Sequence, residues 1–144
     1  MAWSKLRKVK PGEITAVFIS GCFLLSAEFR IRLLSSEKII QNLKSGRAAT
    51  IAFFVRPFRS LRKTRIVSLV EAVDRNLGWK PSCLRRTLAL AAILSSLGET
   101  PEFKVGVQPE GGRLRAHTWL ELDGMRMEMD DEASAYTVLT GSGK

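Results

Sequence analysis

The sequence predicts an α+β fold: N-terminal helices, then a cysteine-bearing helix packed on a small antiparallel sheet. Two observations lead there. From Ile66 to Gly98 the apolar residues recur at the 3.6-residue spacing of helices, and from Phe103 onward they alternate with polar residues as strands do. The switch is abrupt, so the helices come first and the strands last.

At 144 residues, 45% hydrophobic and 26% charged, the chain has material for one globular unit that needs no covalent staples. Its two cysteines, Cys22 and Cys83, and the lack of a cleavable signal pattern suit free thiols in a reducing, cytoplasmic compartment. The net charge of +9 is uneven: residues 1–80 carry 16 basic and 5 acidic side chains, residues 81–144 carry 7 and 9. Such a basic half attracts nucleic acid, anionic lipid or acidic peptide without choosing among them. No groove-reading or base-stacking motif accompanies the charge, so nucleic acid is not an expected partner.

Pro11 and Gly12 open a first helix that runs to about Leu34. Within it "ITAVFISGCFLLSA", residues 14–27, is uncharged but shorter than the ~20 residues that span a bilayer. It reads as a buried core helix with Cys22 as a small apolar residue inside it, the alternative being a helix that lies on a membrane surface or docks a partner. "SEKIIQNL" predicts a short second helix before Gly46, and the five basic residues around Pro57 in "RPFRSLRKTR", residues 56–65, predict a solvated connection. Ile66, Leu69, Val70, Val73 and Leu77 then form one helix face, with Gly78 as the stop.

"WKPSCLRRTLAL", residues 79–90, starts the next helix. With Ser82 as N-cap, Cys83 takes the first helical position, where unpaired backbone N–H groups and the helix dipole favour a thiolate. Leu84, Leu88, Ala91, Leu94 and Leu97 carry the apolar face to Gly98. "EFKVGVQ" is a strand and "PEGGR" a turn, while "LRAHTWLELDGMRMEMD" is a hairpin with an Asp-Gly turn. That two-residue turn fixes the register: Leu122 faces Met125, Glu121 faces Arg126, Leu120 faces Met127, Trp119 faces Glu128, and His117 faces Asp130. Alternation puts His117 and Trp119 on the polar, accessible side of the strand.

His117 is the chain's only histidine, so any cysteine-histidine enzyme made from this chain alone must use it. A carboxylate opposite the imidazole would hold one ring nitrogen and leave the other for Cys83. The register favours Asp130 for that role; a bulge would transfer it to Asp131, and Glu128 stays open. One histidine and two distant cysteines provide no zinc-ligand spacing, and no cofactor is expected.

Cys83-Leu84 with Arg86 and "LAL", Gly98, "VGV" at 105–107, and "AHTWLELDG" at 116–124 resemble the leader-peptide-cleaving protease of lasso peptide biosynthesis, a family of the transglutaminase-like cysteine protease superfamily. The resemblance covers roughly residues 66–130 and implies a transglutaminase/papain-like core. It assigns Cys83 as nucleophile, His117 as base and Asp130 as its orienting acid. Family members usually show His-Ala-Trp where this chain has Thr118, a difference expected to change packing slightly and leave the chemistry intact.

The implied division is a basic helical region over 1–65, suited to docking a partner, and a protease core over 66–144. The implied substrate is the leader-core junction of a precursor peptide. No room remains for a fused recognition domain of ordinary size, so a separate leader-recognition protein is expected, with an ATP-dependent lasso cyclase acting on the product. Two other readings remain: a transglutaminase-like acyltransferase, and a basic adaptor without catalysis.

Overall fold

The structure is a computed structural model that describes residues 9–34, 38, 54–128 and 136–139. A 3-10 turn at Pro11–Glu13 leads into helix α1, Ile14–Leu33. Glu13 accepts the Lys10 N–H at 2.9 Å, and its two oxygens take the Arg65 guanidinium at 2.9 and 2.7 Å. Those hydrogen bonds, from Arg65 first and Lys10 second, hold the Glu13 carboxyl at about 2 against an ordinary 4.5. The fork ties the start of α1 to helix α2, Lys63–Asn76. The short helix expected after Ser36 lies, apart from Lys38, outside the described residues.

Ala16, Ile19, Leu24 and Ala27 turn inward from α1, which rests on α2 and on helix α3, Cys83–Ser96. The uncharged run is thus only half a core helix: its other side, Cys22 included, is exposed. That run has apolar residues on every side, so its pattern names no inner face, and two neighbouring helices cover only one of them. The connection before α2 also differs from a solvated link. A 3-10 turn at Arg56–Phe58 sinks Val55 and Phe58 completely, while Arg56 and Arg59 stay outside. Val55, Phe58 and the inner face of α1 share one apolar core with α2, α3, Leu120 and Leu122.

Both later helices stop where glycine permits a left-handed residue: Gly78 has φ 72° and Gly98 φ 91°. The sheet is antiparallel, in the order β3-β2-β1-β4, with β1 Glu102–Glu110, β2 Arg113–Leu122, β3 Met125–Arg126 and β4 Thr137–Val138. Asp123 and Gly124 have φ of 53° and 75°, the pair of positive values that a two-residue type I′ hairpin needs. Leu122 pairs with Met125 and Glu121 with Arg126, as the Asp-Gly turn predicts.

Gly106 in β1 is fixed by close approach. A Cβ there would stand 2.9 Å from Trp119 Cη2, from Trp119 Cζ3 and from Tyr136 Cβ. Gly106→Ala should therefore cost about 1–3 kcal/mol, the usual scale of overpacking, read as a lower urea midpoint at unchanged slope. A midpoint equal to wild type would show that the indole can withdraw without cost.

Candidate active site

Ser82 caps α3 in extended backbone, its hydroxyl accepting the Arg85 N–H at 3.4 Å, and Cys83 follows at the first helical position. Arg85 then fastens the helix start. Nearly unexposed, it donates through Nε to Asp74 Oδ1 at 2.6 Å, through one Nη to Glu28 Oε2 at 2.9 Å, and through the other to the Lys80 carbonyl at 2.9 Å. Its guanidinium lies 5.4 Å from the Trp79 ring centroid. One side chain thereby joins α1, α2 and the loop that delivers Cys83.

The sheet reaches Cys83 because β3 is short. Met127 N–H donates to Leu120 O at 2.8 Å as the chain leaves the strand. Thr118 directs its backbone groups to the same edge as Leu120, two residues on. Among the described residues no strand pairs with it there, and α3 does instead. Thr87 Oγ1 stands 3.1 Å from Thr118 O and 2.8 Å from Cys83 O, and the side chain and backbone of Thr118 both act on the Cys83 thiol to lower its pKa. Thr118 is therefore more than a packing change: it touches the thiol.

His117 is half-buried beside Cys83. Its ring lies 6.0 Å from that of Trp119 at 20°, and 5.0 Å from that of Tyr136 at 31°. Trp119, expected on an accessible side, is 1% exposed. Alternation had the face right and its covering wrong, because β4 joins the far edge of β1 and brings Tyr136 against Gly106, while Arg126 lies 4.1 Å over the indole.

The carboxylate on His117 is Glu128, with Oε1 2.5 Å from Nε2. Asp130 and Asp131 lie outside the described residues. The hairpin register sets Glu128 against Trp119, so it meets His117 on the diagonal, within reach of a long side chain. With Nε2 taken, Nδ1 is left for the thiol. Glu128 Oε2 is buried without a hydrogen-bond partner among the described residues, and Glu128 lines a small cavity with Cys83, Glu71 and Arg86.

These contacts set the charges. Burial pushes the Cys83 thiol up, but the bond to His117 and those from Thr118 outweigh it, and the pKa falls from 9.0 to about 7. Bonds to Cys83 and then to Glu128 raise His117 from 6.5 to about 9 against the opposing effect of burial. Between those values a thiolate and an imidazolium coexist, which is the reactive form of a cysteine nucleophile. Among the described residues no group of three or more His, Cys, Asp or Glu is placed to hold a metal.

The profile of the transglutaminase-like superfamily matches residues 23–141. The chain belongs to that superfamily. Neither the curated proteins nor the solved structures include a match to it. The transglutaminase-like superfamily typically has cysteine-protease or acyltransferase activity, and its core is the α+β arrangement found here. In this transglutaminase-like chain the expected Cys83 and His117 come together. Thr118, Tyr136 and the buried Arg85 were not anticipated: a threonine after the histidine was the one visible signal for the first, and the other two contacts join residues far apart in sequence.

Proposed function

We propose that the protein is a cysteine peptidase that removes the leader from a lasso peptide precursor and frees the core N-terminus for an ATP-dependent cyclase. The observation that supports this reading is the contact of His117 with both Cys83 and Glu128 at the start of α3, in a transglutaminase-like chain that also bears "AHTWLELDG". Cys83 attacks the carbonyl at the leader-core junction, and the negative charge on that oxygen is met by the free N–H of Cys83 at the helix start. His117 then protonates the leaving amine, which becomes the core N-terminus, while Glu128 holds the ring. Water, deprotonated by His117, cleaves the thioester and releases the leader. A separate leader-recognition protein presents the precursor, and a reducing cytoplasm keeps Cys83 free.

The superfamily's other chemistry supplies the second reading, in which an amine replaces water as acceptor. Mass spectrometry of precursor treated with the protein and a recognition partner decides between them. Free leader and free core are expected, with neither formed by Cys83→Ala. A leader bearing a new amide would establish transfer instead, and unchanged cleavage by Cys83→Ala would end the peptidase reading.

A further inference from the structure

The outer side of α1 is a bare apolar stripe. Ile14, Phe18, Leu25, Phe29 and Leu33 are 63%, 74%, 40%, 65% and 78% exposed, and Cys22 lies among them. Steps of three and four residues keep all six on one side of the helix, along about 30 Å at 1.5 Å per residue. Their opposite side, with Ala16, Ile19, Leu24 and Ala27, is seated on the protein. Ile14, Phe18 and Cys22 also precede the residues that the superfamily profile matches, so the stripe extends beyond the shared core.

The geometry points to an anionic lipid bilayer as the occupant, with α1 lying flat in the boundary between headgroups and acyl chains. Three features favour lipid. The stripe offers only the Cys22 thiol for hydrogen bonding, whereas a specific protein interface carries roughly one hydrogen bond per 100–200 Å². Among the described residues, the solvent-facing charges bordering it are basic. Lys10 and Arg30 are exposed at its two ends, Arg32 is exposed but paired with Glu28, and the sequence adds Lys5, Arg7 and Lys8 ahead of it and Glu37 and Lys38 after it. The helix's acids are both engaged inward, Glu13 by Arg65 and Glu28 by Arg85, with Arg32 also on Glu28. Basic residues bordering an apolar face with phenylalanine and leucine are the make-up of helices that bind anionic membrane surfaces.

By length and composition α1 is able to cross a bilayer. Its inner side cannot meet lipid while it packs on α2 and α3, which leaves the surface orientation. The reading is independent of the peptidase proposal, since no residue of the stripe belongs to the Cys83 site.

Cys22 supplies the probe. In the full chain carrying Cys83→Ala, a polarity-sensitive fluorophore on Cys22 is mixed with vesicles containing roughly one-third phosphatidylglycerol in phosphatidylcholine. A blue shift and co-flotation are expected, weakened by added salt and by omitting the phosphatidylglycerol. Phe18→Glu with Phe29→Glu should lower vesicle binding by about tenfold or more while leaving thermal unfolding near wild type, because both side chains are solvent-facing. Absence of binding to either vesicle overturns the proposal. So does a self-associating chain that ignores vesicles, which would make the occupant a second copy, or a large loss of stability in the double variant, which would mean the chain covers its own stripe.

Discussion

Replacing His117 with alanine should return the Cys83 alkylation midpoint from about pH 7 to the ordinary thiol range and reduce precursor cleavage by about a thousandfold or more. The thiolate owes its low pKa first to His117, so without the imidazolium the burial of Cys83 is opposed only by the Thr118 donors. The sign is fixed by direction. Below about 7 the sulfur holds its proton, and above about 9 His117 has lost the one it must give to the leaving amine, so wild-type cleavage should follow a bell between those limbs. Iodoacetamide labelling across pH, resolved by mass spectrometry to separate Cys83 from the exposed Cys22, measures the acid limb without substrate. Thr118→Ala should move the same midpoint upward by less, since its backbone N–H remains. A His117→Ala thiol that still titrates near 7 would show that the helix start alone makes the thiolate.

The largest stability effect is expected at Arg85. Asp74 is wholly buried, its Oδ1 accepts from Arg85 at 2.6 Å, and its Oδ2 has no hydrogen-bond partner. Arg85→Met therefore strands a carboxylate in the core, with Arg86 as the nearest remaining cation at 3.7 Å. Removing one partner of a buried pair costs about 3–5 kcal/mol. For a chain of this size that corresponds to a melting temperature about 10 °C lower or more. Calorimetry should show the loss, and Arg85→Met with Asp74→Leu should recover much of it, because an apolar pair leaves no charge unmatched. An equal loss in the double variant would mean that Arg85 matters through Lys80 and Trp79. Either way the loop before Cys83 loses its anchor, so cleavage should fall with stability.

The two experiments address different contributions of the sequence. Cys83 at the head of a helix was legible from Pro81-Ser82 and the apolar period behind it, because capping is a contact between residues three apart. The Asp-Gly turn was legible for the same reason, and it set the first pairs of the β2-β3 ladder correctly. The orienting acid was legible only as a choice. The ladder favoured Asp130, which lies outside the described residues, and kept Glu128 open; the strand stops at Arg126 and the long side chain of Glu128 reaches His117 diagonally. Where a strand ends depends on what competes for its edge, and here α3 takes the Thr118 groups.

By itself, then, the sequence determined α1, α2, α3 and the strands β1 to β3, the cap and glycine stops of the helices, the Asp-Gly turn, and the candidacy of its single histidine as partner of a helix-head cysteine, all of which rest on local backbone chemistry or on elimination. The tertiary structure alone decided that Glu128 reaches His117, that Trp119 is buried over Gly106, and which side of the uncharged run in α1 stays bare. Those outcomes depend on which distant surfaces meet, and an apolar pattern states only that a side can be covered, never by what.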